Sequence, residues 1–173
     1  MDKLIVLCGH PACGKTTLIQ SFLTLRPDFI FVDIFDYIKK IKDESGHVDK
    51  AKSFLAYQQM YSDLASKTGD TILELGTNHA ELNFANLAKL NDRYQINIIF
   101  CLLAPEICID RIMHRAQTDQ KRIMHRQDIE EKFKRPFPDL HIKLADELQV
   151  SYSKLDMSLP LKEQLAVILD LLK

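Results

Sequence analysis

Apolar residues fall along this chain in two alternating rhythms. Unbroken runs recur at Leu4-Ile5-Val6-Leu7-Cys8, Phe29-Ile30-Phe31-Val32, Thr71-Ile72-Leu73-Glu74-Leu75 and Asn97-Ile98-Ile99-Phe100-Cys101-Leu102-Leu103. A run with few polar interruptions suits a strand covered on both faces, as in a parallel sheet. Val150-Ser151-Tyr152-Ser153-Lys154-Leu155 alternates instead, which predicts a less covered strand nearer an edge. Between the runs the period turns helical. Lys15 to Leu25 reads as a first helix that stops before Pro27. Phe54, Tyr57, Tyr61 and Leu64 recur at helical spacing, as do Leu82, Ala85, Leu87, Ala88 and Leu90. Pro105 suits a first helical turn and opens a helix to about Ala116, and a last helix runs from about Pro160 to Leu172.

Strand and helix therefore alternate, which defines an α/β class with right-handed crossovers. At 173 residues the chain is expected to form a single domain, residues 1–173, without a linker. Lys plus Arg number 23 and Asp plus Glu 24, for a net charge of -1. No global positive field favours nucleic acid or an anionic membrane. No apolar run reaches the ~18 residues that span a bilayer, and Met1 to Leu7, soon followed by Gly9 and Pro11, is too short for a signal peptide. Cys8, Cys13, Cys101 and Cys108 lack metal-ligand spacing and read as reduced thiols, hence a cytoplasmic setting.

Only 5 glycines occur, and two of them, Gly9 and Gly14, bracket the most informative segment. Gly9-His10-Pro11-Ala12-Cys13-Gly14-Lys15-Thr16 fits G-x-x-x-x-G-K-[ST], between a buried strand and a helix. Glycine torsions let successive backbone N–H groups turn inward on phosphate oxygens, and the helix adds its positive N-terminal end. Gly9, Pro11, Ala12, Cys13, Gly14, Lys15, Thr16 and Thr17 are thus expected to bind a nucleotide triphosphate. Lys15 would reach its β and γ phosphates and Thr16 would ligate Mg2+. Cys13, at a helix N-terminus, is expected to be a reactive thiol shielded by bound nucleotide.

On this loop, and on element order over nearly the whole length, the chain resembles the small P-loop kinases: the adenylate kinase, shikimate kinase and gluconate kinase group. The resemblance implies a three-layer fold with a five-stranded parallel sheet of order 2-3-1-4-5, a short lid, and transfer of the ATP γ-phosphoryl group to a small acceptor. A Ras-like GTPase would carry D-x-x-G after its third strand and N-K-x-D later; the third strand here gives Glu74-Leu75-Gly76 instead, and N-K-x-D does not occur. A motor or AAA+ ATPase would be longer and would need an arginine from a partner.

Asp33 and Asp36 follow the second strand, where ligands of such sheets sit. Asp33 is a candidate to orient and deprotonate an acceptor hydroxyl, as an acidic residue there does in the resembling kinases; capping the next helix is its other reading. Asp36 is a second acceptor candidate. Glu74 ends an apolar strand, where a carboxylate needs a partner or solvent. The resembling kinases carry an aspartate there that holds a Mg2+-bound water, so Glu74 is a candidate for metal or acceptor, with Asn78 and His79 beyond it as weaker acceptor contacts. Arg111 and Arg115 share a helix face, and the resemblance assigns Arg111 to the adenine and Arg115 to the phosphates. Arg111-Ile112-Met113-His114-Arg115 is echoed by Arg122-Ile123-Met124-His125-Arg126. These second arginines fall in a lid of about residues 116–126, and Arg122 or Arg126 would meet the γ-phosphate. Residues 111–135 hold eight Lys/Arg against four Asp/Glu, the one clear positive bias. His10, in the phosphate loop, receives no catalytic role, and His114 and His125 are expected at the surface. The resemblance places the loop Leu155–Pro160 at the edge of the adenine.

From Ile34 to Gln95 the only arginine is Arg93, whereas nucleoside monophosphate kinases grip the acceptor phosphate with arginines in that region. The favoured acceptor is therefore a hydroxyl of a weakly charged small molecule such as a sugar or nucleoside, covered by a helical region of about residues 38–68. Phe54, Tyr57 and Tyr61 there are read as core before ligand platform. A nucleoside monophosphate kinase, with Lys39, Lys40 and Lys42 compensating, and a nucleotide-binding regulator with little transfer stay open. A polynucleotide 5′-kinase is disfavoured by the lack of a second basic stripe. ATP and Mg2+ are the expected cofactors, the choice of ATP over GTP and any protein partner being undetermined.

Overall fold

The computed structural model describes residues 1–42, 48–118 and 125–173, with backbone alone for Lys50 and Ala51. In chain order the elements are β1 (Asp2–Gly9), α1 (Lys15–Leu25), β2 (Ile30–Asp33), α2 (Ile34–Lys40), α3 (Lys50–Ser66), β3 (Thr71–Leu75), α4 (Ala80–Lys89), β4 (Tyr94–Leu102), α5 (Pro105–Thr118), α6 (Arg126–Phe133), α7 (Asp139–Glu147), β5 (Ser151–Asp156) and α8 (Leu161–Asp170). The five strands form one parallel sheet of order β2-β3-β1-β4-β5. No described helix is long and apolar enough to cross a membrane.

Side chains alternate across each strand, and the two faces gather separate cores. Leu4, Val6 and Cys8 of β1 join Leu73, Ile98 and Phe100 under α3, α4 and α7. Ile5 and Leu7 join Ile72, Ile99 and Cys101 under α1, α5 and α8. The central β1 is thus apolar on both faces, which is why its sequence runs unbroken. β2 departs from that expectation: it is an edge strand, and Phe31 is left 36% exposed. β5 is the opposite edge, as its alternation predicts. β4 begins earlier than its apolar run, at Tyr94, because Tyr94 and Ile96 are buried while Gln95 faces out. Tyr57 and Tyr61 are core residues, whereas Phe54 is 42% exposed.

Two helices, α6 and α7, lie where the hydrophobic pattern marks none. α6 fully buries Ile129 alone, so its sequence carries almost no periodic signal. α7 follows Pro136 and Pro138, which read as loop. Most of the expected lid, including Arg122, lies outside the described residues.

Every strand delivers its C-terminal end to the same edge of the sheet. Gly9, Asp33, Leu75 and Leu102 therefore open onto one rim. Gly9 pairs in register with Cys101, and Asp33 with Glu74.

Candidate active site

The phosphate loop is shaped by two glycines with different tasks. Gly14 adopts φ +111°, a left-handed conformation that a side chain resists. Gly9 lies against β4, where a Cβ would stand 2.7 Å from the Cys101 carbonyl oxygen. α1 starts immediately after Gly14 with no side-chain cap, which leaves its first N–H groups facing the loop.

Lys15 is 5% exposed and lies across the loop. Its Nζ donates to the carbonyls of Gly9 and His10, each at 2.9 Å, and stands 3.8 Å from Glu74 Oε1. The Thr16 hydroxyl lies 3.1 and 3.0 Å from the two Glu74 oxygens. Burial pushes the Glu74 carboxyl above its usual range, with Asp33 adding to the rise and Lys15 and Thr16 opposing it. Because the folded pKa is raised, ionised Glu74 weighs against folding as pH climbs through it. Glu74→Gln is therefore expected to raise Tm at pH 7.5, a gain that disappears near pH 4, while lowering phosphoryl transfer about 10–100-fold. Melting curves and turnover across that pH range check both halves.

These groups open into a cavity of about 490 Å³. Of the residues singled out in the sequence, Pro11, Ala12, Gly14, Lys15, Thr16, Thr17, Glu74, Asn78 and Arg115 line it, together with Ile34, Phe35, Gly76 and Thr77. Two further cations come from α6 and the bend after it, Lys132 and Arg135. Sequence reasoning counted their charge within the positive segment but singled out neither. Arg135 Nη1 donates to Asn78 Oδ1, and the Asn78 carbonyl accepts from Asn83, whose Oδ1 takes the Tyr61 hydroxyl. The exposed Arg135–Asn78 contact is thus linked inward to the buried Asn83 and Tyr61.

Several expected residues stand elsewhere. Arg126 is exposed and engaged with Asp110 at 2.9 Å and Glu130 at 2.8 Å, and it does not line the cavity. Asp36 pairs with Lys39 on the surface at 3.1 Å. Asp33 is the N-cap of α2 and accepts from the Phe35 N–H at 2.9 Å; its register opposite Glu74 still places it on the rim. Arg111 reaches the loop, donating to the Ala12 carbonyl at 3.1 Å. Cys13 is 1% exposed and packs in the core beneath the loop, so the expectation of a reactive thiol is corrected. His114 and His125 are exposed, as expected.

His10 behaves unlike a variable loop position. It is 7% exposed, its ring stacked on Phe133 at 4.5 Å and edge-on to Phe137 at 5.1 Å. Burial, with the nearby Lys15 charge, pulls the imidazole down to about 4, so it is neutral at physiological pH. Beside it a second, mostly apolar hollow of about 680 Å³ lies over the ends of β4 and β5, lined in part by Ile107, Asp156 and Ser158. It is larger, but no Lys or Arg lines it, and of the phosphate loop only His10 reaches it.

A parallel sheet of order 2-3-1-4-5 with this loop at its centre defines a P-loop nucleotide-binding protein with the fold of the small P-loop kinases. The chain belongs to the AAA domain family, whose profile matches residues 4–137. It is similar in fold to a Chloroflexus aurantiacus protein classed provisionally as a kinase, with 19% identity and a TM-score of 0.71 over 98% of this chain and 97% of that one. It is likewise similar to the Acinetobacter baumannii shikimate kinase solved with shikimate, with 15% identity and a TM-score of 0.62 over 99% and 93%. The Bacteroides thetaiotaomicron shikimate kinase gives 16% identity and 0.58 over 98% of each chain. No curated protein sequence matches the chain significantly.

Proposed function

We propose that this protein is an ATP-dependent kinase that transfers the γ-phosphoryl group to a hydroxyl of a small molecule carrying an anionic group. The observation that supports it is the convergence of Lys15, Thr16, Glu74, Arg115, Lys132 and Arg135 on one cavity. A hydrolytic nucleotide switch has no need of two extra cations beyond those facing the triphosphate.

Lys15 and the loop amides bind the triphosphate, Lys15 exchanging its carbonyl partners for phosphate oxygens. Thr16 and Glu74 supply hard oxygen donors, a chemistry matched to Mg2+. No group of three His, Cys, Asp or Glu among the described residues forms a separate metal cage. Bound there with the nucleotide, Mg2+ would neutralise charge on the phosphates. Glu74 thereby falls on the metal side of the site. Arg115 faces the transferring phosphoryl group. Asp33, at the rim, orients the acceptor hydroxyl and takes its proton as the new O–P bond forms and the bond from the γ-phosphorus to the bridging oxygen breaks. ADP then leaves. Arg111 and the loop after β5 border the base.

The anionic group is the change from the sequence expectation of a weakly charged acceptor, and it rests on Arg135 and Lys132. A planar guanidinium held by Asn78 is suited to a carboxylate or phosphate. The neighbouring fold crystallised with shikimate is consistent with such an acceptor. A nucleoside monophosphate is the second reading that the same cations favour. Asp33→Asn separates the two, because a phosphate acceptor is already ionised and needs no base.

Release of ADP from Mg-ATP against a panel of hydroxy acids, sugar phosphates, neutral sugars and nucleoside monophosphates tests the reading. Acceptor-dependent release confined to anionic compounds is expected. Arg135→Ala is expected to raise the acceptor KM at least ~10-fold while changing that for Mg-ATP under ~2-fold, as loss of a charge-assisted contact requires. Turnover with neutral sugars alone would refute the anionic acceptor, and no turnover with any compound would refute the kinase.

A further inference from the structure

Of the three cavity cations that the phosphate loop does not itself provide, Lys132 and Arg135 are carried by α6 and the bend after it, and only Ile129 of that helix is buried. So thin a helix needs another anchor if Lys132 and Arg135 are to stay on the cavity. The exposed Arg126–Asp110 ion pair ties its first residue to α5, and the His10 ring is the anchor at its far end, next to the two cations. The ring comes from the phosphate loop, lines the second hollow and not the phosphate-loop cavity, and stacks on Phe133, the residue after Lys132 and two before Arg135. Phe137 closes the stack edge-on, and is itself fixed against Phe100 of β4 at 6.1 Å and His141 of α7 at 5.0 Å. The same residue serves the loop through its backbone, since its carbonyl holds Lys15 Nζ.

We infer that His10 is a positioning residue, whose ring ties the phosphate loop to α6 and so sets Lys132 and Arg135 on the cavity in step with nucleotide binding. Ordering the loop around phosphates immobilises the backbone from which the ring projects. The stack passes that order to a helix with little packing of its own. Aromatic pairing of this geometry is strong enough to hold one short helix, and the ring works uncharged.

This inference rests on the nucleotide-binding reading, and amide hydrogen exchange separates the two. Exchange is followed in the full chain with and without saturating Mg2+ and a non-hydrolysable ATP analogue. In the wild type, exchange is expected to slow at residues 9–17 and, by roughly 5-fold or more, at residues 126–133. His10→Ala keeps the slowing in the loop and loses it in α6. His10→Phe, which preserves a ring, keeps both. Phe133→Ala removes the stack from the other side, leaves the loop sequence intact, and is expected to reproduce the His10→Ala pattern. In turnover, His10→Ala raises the acceptor KM about 10-fold, as Arg135→Ala does, while changing that for Mg-ATP under ~2-fold. In an Arg135→Ala background the same change has little further effect, because the two act as one unit. Slowing of α6 that survives both His10→Ala and Phe133→Ala overturns the inference, as does a wild-type α6 that ignores nucleotide while the loop responds. Absence of slowing in the loop itself overturns the nucleotide reading, and the inference with it.

Discussion

Lys15→Ala is expected to reduce acceptor-dependent ADP release by roughly 10³-fold, the loss typical of one transition-state donor in a water-poor site. Two effects combine. The variant lacks the ammonium that faces the β and γ phosphates. It also deprives Glu74 of the charge that opposes the burial-driven rise of its pKa, so the carboxyl keeps its proton to a higher pH than in the wild type, and the protonated form is a poorer partner for Mg2+. The second effect has its own signature: the acidic limb of any residual activity shifts to higher pH than in the wild type. The fold should persist, because Lys15 contacts the loop and Glu74 and lies outside both apolar cores. Near-wild-type turnover would remove Lys15 from the chemistry. Loss of cooperative melting would show instead that the ammonium is structural.

Gly9→Ala is expected to cause the largest loss of stability from a single methyl group. Its Cβ would lie 2.7 Å from the Cys101 carbonyl oxygen, 3.1 Å from Cys101 Cβ and 3.2 Å from Cys13 Sγ. Backbone on the far side cannot swing away as a side-chain tip can, and β1 and β4 are hydrogen-bonded partners at this position. Overpacking of this kind costs roughly 2–3 kcal/mol, or about 5–10 °C in Tm for a chain of this size. Gly76→Ala is the control, with nothing within 4 Å of its added carbon, and its Tm should stay within about 2 °C of the wild type. Equal melting of the Gly9 variant and the wild type would mean that the two strands separate at little cost there. The first glycine of the loop thus serves the sheet, while Gly14 serves the loop conformation.

The sheet and the phosphate loop were legible because each depends on residues adjacent in sequence. β1 is an unbroken apolar run from Leu4 to Cys8 since both faces are covered, and the loop needs its glycines and lysine at fixed offsets. The acidic rim was legible for a related reason: Glu74 interrupts an apolar strand, and such a charge demands an explanation. The positive side of the cavity was not. Arg126 and Arg135 sit in the same basic segment, yet Arg126 turns to Asp110 and Glu130 while Arg135 turns to Asn78. That division is made by the seat of α6, which depends on Phe133 meeting a histidine more than a hundred residues earlier. Glu130 is local to the segment, at i,i+4 from Arg126, but Asp110, Asn78 and His10 are not. Asp33 shows a different limit, since the residue that caps α2 is also the one on the rim, and a sequence cannot divide one side chain between two tasks.

The central position of β1 also governs how the chain acquires its site. The strand that leads into the phosphate loop pairs on one side with β3 and on the other with β4, both encoded far downstream. Its apolar faces and its backbone groups stay unsatisfied until those strands have been made and have docked. Pairing of strands so far apart in sequence slows folding. A fragment ending before β4 would hold every residue of the loop motif and still lack the wall against which Gly9 rests, so nucleotide affinity should emerge late in synthesis, with the arrival of Cys101.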